Sequence, residues 1–265
     1  MVIKGAPVWI TGASSGIGLA LSREFLRLGA QVLALDRDAR GLAELKKEAE
    51  LLKLPLETLQ ADVTAGEAFL ETLEGAVKTH GVPAVFVNNA GIAKIGPFAE
   101  LGLAAFEQVM AVNLRGVVWG THFALKRMES AGRGLIINMS STAGLLPTPQ
   151  MTSYSASKFA VVGFTRALQA ELEMTKSPVK LCLVCPGFID TPIMRQPGVE
   201  FPSWMRWIVE RPDGAARAIA RQALAGKEFI VPDFCGKLMQ GLYRWAPGWS
   251  VKGSQDLFAR ALRKP

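Results

Sequence analysis

Short apolar runs alternate along this chain with longer stretches in which apolar residues recur three and four positions apart. Val8–Thr11 is the first run, and it breaks into Gly12-Ala13-Ser14-Ser15-Gly16-Ile17-Gly18. Leu19, Leu21, Phe25, Leu26 and Leu28 then return roughly at helical spacing, so the pattern predicts strand, glycine turn, helix. Gln31–Leu35 predicts a second strand, ending in Asp36. Ala39–Leu52 predicts a helix with Leu42, Leu45, Ala49 and Leu52 on one stripe, closed by Pro55. Strand Glu57–Gln60, a helix from about Ala65 to Thr79 and strand Ala84–Val87 follow. A long helix over Leu103–Ser130, strand Leu135–Met139, helix Ser153–Met174 and strand Val179–Val184 continue the alternation.

Such alternation implies parallel strands joined by right-handed helical crossovers, with helices on both faces of the sheet. The expected architecture is a single α/β domain over residues 1–265, a doubly wound parallel sheet of the Rossmann type in three α/β/α layers. In that fold ligands bind beyond the carboxyl ends of the strands. Gly12, Asp36, Asp62, Asn88, Ser141 and Pro186 all fall at such ends. Towards the C-terminus, Phe201, Trp204, Met205 and Ile208 predict a short amphipathic helix between Pro202 and Pro212. Asp213–Leu224 reads as another helix and Phe229–Val231 as a last strand. Residues 235–262 are aromatic and basic.

Composition supports a soluble domain with a large core, since 49% of the residues are hydrophobic and 20% charged. The net charge of +7 is uneven: residues 195–265 hold twelve Lys/Arg against six Asp/Glu, and residues 1–194 eighteen against seventeen. Three cysteines cannot all pair, and no apolar signal core precedes the first predicted strand, so a reducing cytoplasm is expected. Cys182 and Cys185 lie in a predicted strand, where residues three apart face opposite ways, and read as structural thiols. The uncharged run Gly134–Ser157 is long enough to span a membrane, but its Asn, Ser, Thr and Pro content argues against that. His80 and His122 have no partner at ligand spacing, so no metal site is expected.

The glycine turn carries the first chemical signal. Missing side chains at Gly12, Gly16 and Gly18 let backbone N–H groups and a helix N-terminus approach a pyrophosphate, with Ser14, Ser15 and Ile17 completing the turn. No Lys follows as a nucleoside-triphosphate loop requires. Asp36, eighteen residues after Gly18, stands where an acid bonds the ribose 2′-hydroxyl, which favours NAD. Arg37 is the contrary signal, since its guanidinium could hold the 2′-phosphate of NADP. Tyr154 and Lys158 are the second signal. On a helix they share one face, and the ammonium is expected to pull the phenol below its ordinary pKa.

Thr11-Gly12-x-x-x-Gly16-x-Gly18, Asn88-Asn89-Ala90-Gly91, Asn113, Ser141, Tyr154-x-x-x-Lys158 and Pro186-Gly187 together resemble the classical short-chain dehydrogenase/reductase family. The match runs from about Val8 to Thr191. The resemblance implies Tyr154 as general acid/base, Ser141 as the donor that holds the substrate oxygen, and Lys158 as the group that tunes Tyr154 and binds the nicotinamide ribose. It implies Asn113 as the anchor of a water in the proton relay. It further implies that Asn88, Asn89, Ala90 and Gly91 line the cofactor cleft, that Asp62 and Val63 flank the adenine, and that Pro186, Gly187, Ile189 and Thr191 border the nicotinamide. Ser140 is expected behind the site.

By the same resemblance residues 192–212 form the variable substrate loop, whose Trp204, Met205 and Ile208 predict a bulky hydrophobic alcohol or ketone such as a steroid, a retinoid-like or a long-chain acyl compound. The helices 103–130 and 153–174 match those that pair subunits in the family, implying a homodimer or homotetramer. The aromatic, basic extension at 234–265 suggests contact with a membrane surface or a neighbouring subunit. A nucleic-acid partner is not expected, because the charge lacks a recognised binding module. The competing readings are an NADP(H)-dependent carbonyl or 3-ketoacyl reductase and a cofactor-binding sensor without turnover.

Overall fold

A computed structural model describes residues 1–195, 209–246, 248 and 252–253. Its strands are β1 Pro7–Thr11, β2 Gln31–Asp36, β3 Leu56–Gln60, β4 Val85–Asn88, β5 Gly134–Met139, β6 Val179–Val184 and β7 Phe229–Ile230. They form one sheet in the order β3-β2-β1-β4-β5-β6-β7, and every pairing is parallel. From β1 the chain first winds outward through β2 and β3, then returns to wind the other way from β4. The crevice between β1 and β4 is therefore the switch point, where this architecture binds ligands.

The helices are α1 Gly16–Arg27, α2 Ala39–Leu51, α3 Glu67–His80, α4 Phe98–Met110, α5 Gly116–Ser130, α6 Thr152–Met174, α7 Pro212–Leu224 and α8 Phe234–Trp245. The two-residue period of the strands sorts their side chains onto two cores. Val8, Ile10, Val32, Ala34, Val85 and Val87 pack against Phe25 of α1, Leu45 of α2 and Ile219 of α7. Trp9, Leu33, Phe86 and Ile136 face the other way, against Phe69 of α3, Phe123 of α5 and Leu172 of α6. Cys182 belongs to the first core and Cys185 to a cluster with Val117, Val161 and Val231.

The expected helix 103–130 is more complicated than its apolar spacing suggests. It begins at Phe98, is interrupted at Gly102 with φ +71°, and widens into a π-turn over Ala111–Arg115 before continuing as α5. Gly102 supplies a conformation that side chains with a Cβ rarely adopt. The π-turn surrounds Asn113. Helix α8 adds an element to the tail, for which the sequence specified composition alone. The predicted helix around Phe201–Ile208 lies outside the described residues.

Candidate active site

The glycine turn is tight enough that side chains are excluded by geometry. Gly12 has φ +66°, and a Cβ there would stand 2.7 Å from the Ala90 Cα. A Cβ on Gly18 would overlap the Gly12 carbonyl oxygen. Asn89 ties the same turn to the end of β4: its side-chain amide donates to the carbonyls of Thr11 and Gly12, each at 3.0 Å. Thr11 Oγ1 accepts from the backbone N–H groups of Asn89 and Ala90. A cleft of about 430 Å³ opens above this floor.

Asp36 forms one end of that cleft. Its Oδ2 accepts from the Ser14 backbone N–H at 3.0 Å and from the Ser14 hydroxyl at 2.6 Å, while Oδ1 accepts from the Asp38 N–H at 3.1 Å. The carboxylate is thus fixed in direction at the turn. Asp62 Oδ1 similarly accepts from the N–H and hydroxyl of Thr64.

At the other end Tyr154 and Lys158 lie on the first turns of α6, both buried. Lys158 Nζ donates to the Met139 carbonyl at 2.9 Å and sits 5.6 Å from the Tyr154 ring centroid, over its face. The Ser141 hydroxyl accepts from the Ala143 N–H at 3.1 Å and donates to the Pro186 carbonyl at 3.4 Å. Ser140 donates to the Lys158 carbonyl at 2.8 Å.

Burial governs ionisation here. It pushes the Tyr154 phenol above its ordinary value, with the Ser141 hydroxyl pulling in the opposite direction. The same burial lowers the Lys158 ammonium to about 8, partly offset by Cys185. The expectation that Lys158 holds the phenol below its ordinary pKa is therefore corrected. The ammonium faces the ring and the Met139 carbonyl, and desolvation of the phenol prevails. The Cys182 and Cys185 thiols are raised to about 12 by burial.

Asn113 connects three elements from the π-turn. Its Oδ1 accepts from the Ile92 N–H at 2.8 Å, and its Nδ2 donates to the Ile92 carbonyl at 2.9 Å and the Ser157 hydroxyl at 3.0 Å. Ser157 in turn donates to the Tyr154 carbonyl at 2.7 Å. Gly91 passes between Asn113 and Lys158, since a Cβ there would lie 3.5 Å from Asn113 Oδ1 and 3.6 Å from Lys158 Nζ, in ordinary contact with both.

Residues 6–198 match the family model described as short chain dehydrogenase. The chain belongs to the short chain dehydrogenase family. This short chain dehydrogenase is 36% identical over 199 residues to the 15-hydroxyprostaglandin dehydrogenase [NAD(+)] of Mus musculus, an alignment covering 73% of this chain and 71% of that one. It is 37% identical over 201 residues to the 3beta-hydroxysteroid dehydrogenase 2 of Eggerthella lenta, covering 74% and 76%. Its fold superposes with a TM-score of 0.84 on a short chain dehydrogenase/reductase from Burkholderia phymatum solved in complex with NAD, at 24% identity, covering 94% of this chain and 96% of that one. The protein is a nicotinamide-dependent oxidoreductase acting on CH–OH groups.

The short chain dehydrogenase cleft brings together nearly all the residues singled out in the sequence. Gly12, Ser14, Ser15, Gly16, Ile17, Asp36, Arg37, Asp62 and Val63 line one part. Asn89, Ala90, Gly91, Ser141, Tyr154, Lys158, Pro186, Gly187, Ile189 and Thr191 line the rest. Gly18, Asn88 and Asn113 do not line it. Gly18 acts through close packing of α1 on the turn, and Asn113 lies fully buried behind the wall. Asn88 instead donates to Thr121 and Asn138 in a buried network between β4, α5 and β5. Ser140 lines the cleft, although its hydroxyl turns back to Lys158. Trp204, Met205 and Ile208 lie outside the described residues. Ser157 was missed by sequence reasoning, although its place between Tyr154 and Lys158 on the helix was a usable signal.

The glycine floor fits a dinucleotide. It has no Cβ to obstruct a pyrophosphate, and α1 begins at Gly16 with its N-terminal N–H groups directed there.

Proposed function

We propose that this enzyme oxidises a bulky hydrophobic secondary alcohol, or reduces the matching ketone, with NAD as the preferred cofactor. The observation that carries the reading is the convergence of Ser141, Tyr154 and Lys158 on one wall of the cleft that Asp36 and the glycine turn close at the far end. When bound, the nicotinamide supplies the hydride acceptor or donor.

The chain's own groups handle the proton and the developing charge. In reduction the Tyr154 Oη–H gives its proton to the substrate oxygen; in oxidation its phenol proton first passes to the proton path beside Lys158, and the resulting phenolate takes the proton of the substrate hydroxyl. Ser141 Oγ, released from the Pro186 carbonyl, donates to the same oxygen, so charge accumulating there meets a fixed hydroxyl. Lys158 keeps its hold on the Met139 carbonyl and offers its remaining N–H donors to the nicotinamide ribose and to the proton path. Asn113 braces this wall, and the relay water is assigned to it by family resemblance.

Asp36 supports NAD because its carboxylate, already fixed by Ser14 and Asp38, suits ribose hydroxyls and repels a 2′-phosphate. Arg37 borders the same end and is what an NADP preference would use. A hydrophobic substrate is supported by the apolar composition of residues 201–208 and by the similarity to a prostaglandin dehydrogenase and a hydroxysteroid dehydrogenase. The exposed Leu103, Val118 and Phe159 on α4, α5 and α6 support association through these helices into a dimer or tetramer. Free thiols at Cys182, Cys185 and Cys235 support a cytoplasmic setting.

The test is nicotinamide absorbance with NAD(H) and NADP(H) across steroid, long-chain and small polar alcohols and ketones. Turnover is expected with NAD and hydrophobic alcohols. Equal rates on small polar alcohols would overturn the substrate class, and absence of turnover on every compound would favour a sensor.

A further inference from the structure

Helix α8 turns an apolar stripe outward. Phe234, Leu238 and Trp245 stand at i, i+4 and i+11, which places them on one side of the helix. They are 80%, 51% and 84% exposed. The opposite side holds buried Gly236, where a Cβ would approach Val231 Cγ1 to 2.8 Å. Lys237 is exposed beside the stripe. An amphipathic helix usually turns such a stripe into the core, so this orientation calls for something to cover it.

The charge around it identifies the partner. Phe234–Trp245 contains Lys237 and Arg244 and no Asp or Glu, within a final stretch, 195–265, of twelve basic against six acidic residues. A second copy of the chain meeting this surface about a two-fold axis would oppose two equally basic patches. A bilayer of anionic lipids offers both an apolar layer and compensating charge. We propose that α8 docks on an anionic lipid surface, with Phe234, Leu238 and Trp245 entering the headgroup boundary and the exposed Lys237 facing lipid phosphates.

The position of α8 gives this docking a functional direction. Asp233, immediately before the helix, is buried, and its Oδ1 accepts from the Gly187 N–H at 2.7 Å while its Oδ2 accepts from the Gly236 N–H at 2.6 Å. The helix start is thereby bonded to the cleft edge at Gly187. Docking brings that edge to the bilayer, from which an apolar alcohol would enter; this last step rests on the hydrophobic-substrate reading, whereas lipid binding itself does not.

The experiment is flotation of the full chain with vesicles of phosphatidylcholine alone or mixed equally with phosphatidylglycerol. Binding is expected to the mixed vesicles and to be released by about 0.5 M salt. The triple variant Phe234→Gln, Leu238→Gln, Trp245→Gln should bind at least about tenfold more weakly, and Lys237→Glu should weaken binding by a smaller factor. Circular dichroism and NAD binding check that each variant is folded. Failure of the native chain to float with the mixed vesicles overturns the proposal. So does unchanged flotation of the triple variant, or a loss of oligomer mass in it without any vesicle binding by the native chain. Flotation without turnover would leave lipid docking standing and count against the proposed reaction alone.

Discussion

The two ends of the cleft hold their functional atoms by opposite means. Asp36 is partly exposed and is aimed by hydrogen bonds from Ser14 and Asp38. Tyr154 and Lys158 are only 8% and 3% exposed, and their ionisation is set by desolvation. A recognition contact needs direction and can remain wet. Burial acts on the two groups in opposite directions: it brings the Lys158 ammonium down to about 8, where both of its forms are accessible, and holds the Tyr154 phenol in its protonated form. Substitutions at the Tyr154 end should accordingly alter turnover and pH dependence, and those at the Asp36 end cofactor affinity.

The largest effect is expected for Tyr154→Phe, with kcat lower by about 10²–10⁴ and cofactor binding retained. Stopped-flow turnover together with NAD titration checks both halves. A variant with near-native kcat would remove Tyr154 from the chemistry.

Next is Lys158→Met, which should reduce turnover and also change the pH dependence of stability. The folded chain releases the Lys158 proton at about 8, whereas an ordinary lysine holds it to 10.5. Above about pH 8 the unfolded state therefore binds more protons, and this contribution makes stability rise with pH. The thiols of Cys182 and Cys185 act with the opposite sign. They keep their protons to about 12 in the fold but lose them near 9.0 when unfolded, so stability falls as pH rises above that value. The thiols are common to the native chain and the variant, so the difference between their slopes above about pH 8 isolates Lys158, and there the variant's stability should rise less steeply by up to about 1.4 kcal/mol per pH unit. Urea midpoints at several pH values measure it, and identical slopes would contradict a depressed Lys158.

Much of this contrast was legible in the chain before any coordinates. The apolar runs locate the strands because a parallel sheet buried on both faces needs near-continuous hydrophobicity, and their abrupt ends at Gly12, Asp36 and Asn88 mark where ligands gather. The Tyr154 pKa direction was not legible: spacing reveals a nearby ammonium but not that the phenol is desolvated or that the ammonium points at Met139. Nor does helical periodicity distinguish a π-turn from a continuous helix, since Ala111–Arg115 inserts only a local widening. The outward stripe of α8 was hidden for a related reason, because an apolar pattern gives the face of a helix without saying whether that face meets core or solvent.

At the wet end, Asp36→Ala should weaken NAD by about ten- to a hundredfold, as loss of hydrogen bonds to a charged group implies, with little change in kcat at saturation. NADP should weaken less or bind better, since the carboxylate that repels its phosphate is gone. Comparing KM for the two cofactors tests this, and an unchanged ratio would show that Asp36 does not select between them.

The smallest effect, and the one that separates bracing from chemistry, is expected for Ser157→Ala. It leaves Asn113 Nδ2 with one acceptor fewer and the Tyr154 carbonyl without its side-chain donor. The cost in stability should be about 0.5–1.5 kcal/mol, since both partners keep a second hydrogen bond. If the chain Asn113–Ser157–Tyr154 also positions the phenol, kcat should fall several-fold at constant KM for NAD, and Ser157→Thr, which restores a hydroxyl, should recover part of it. A lowered melting temperature with native kcat would mean that Ser157 only holds α6 to the π-turn, and that Tyr154 keeps its aim through burial alone.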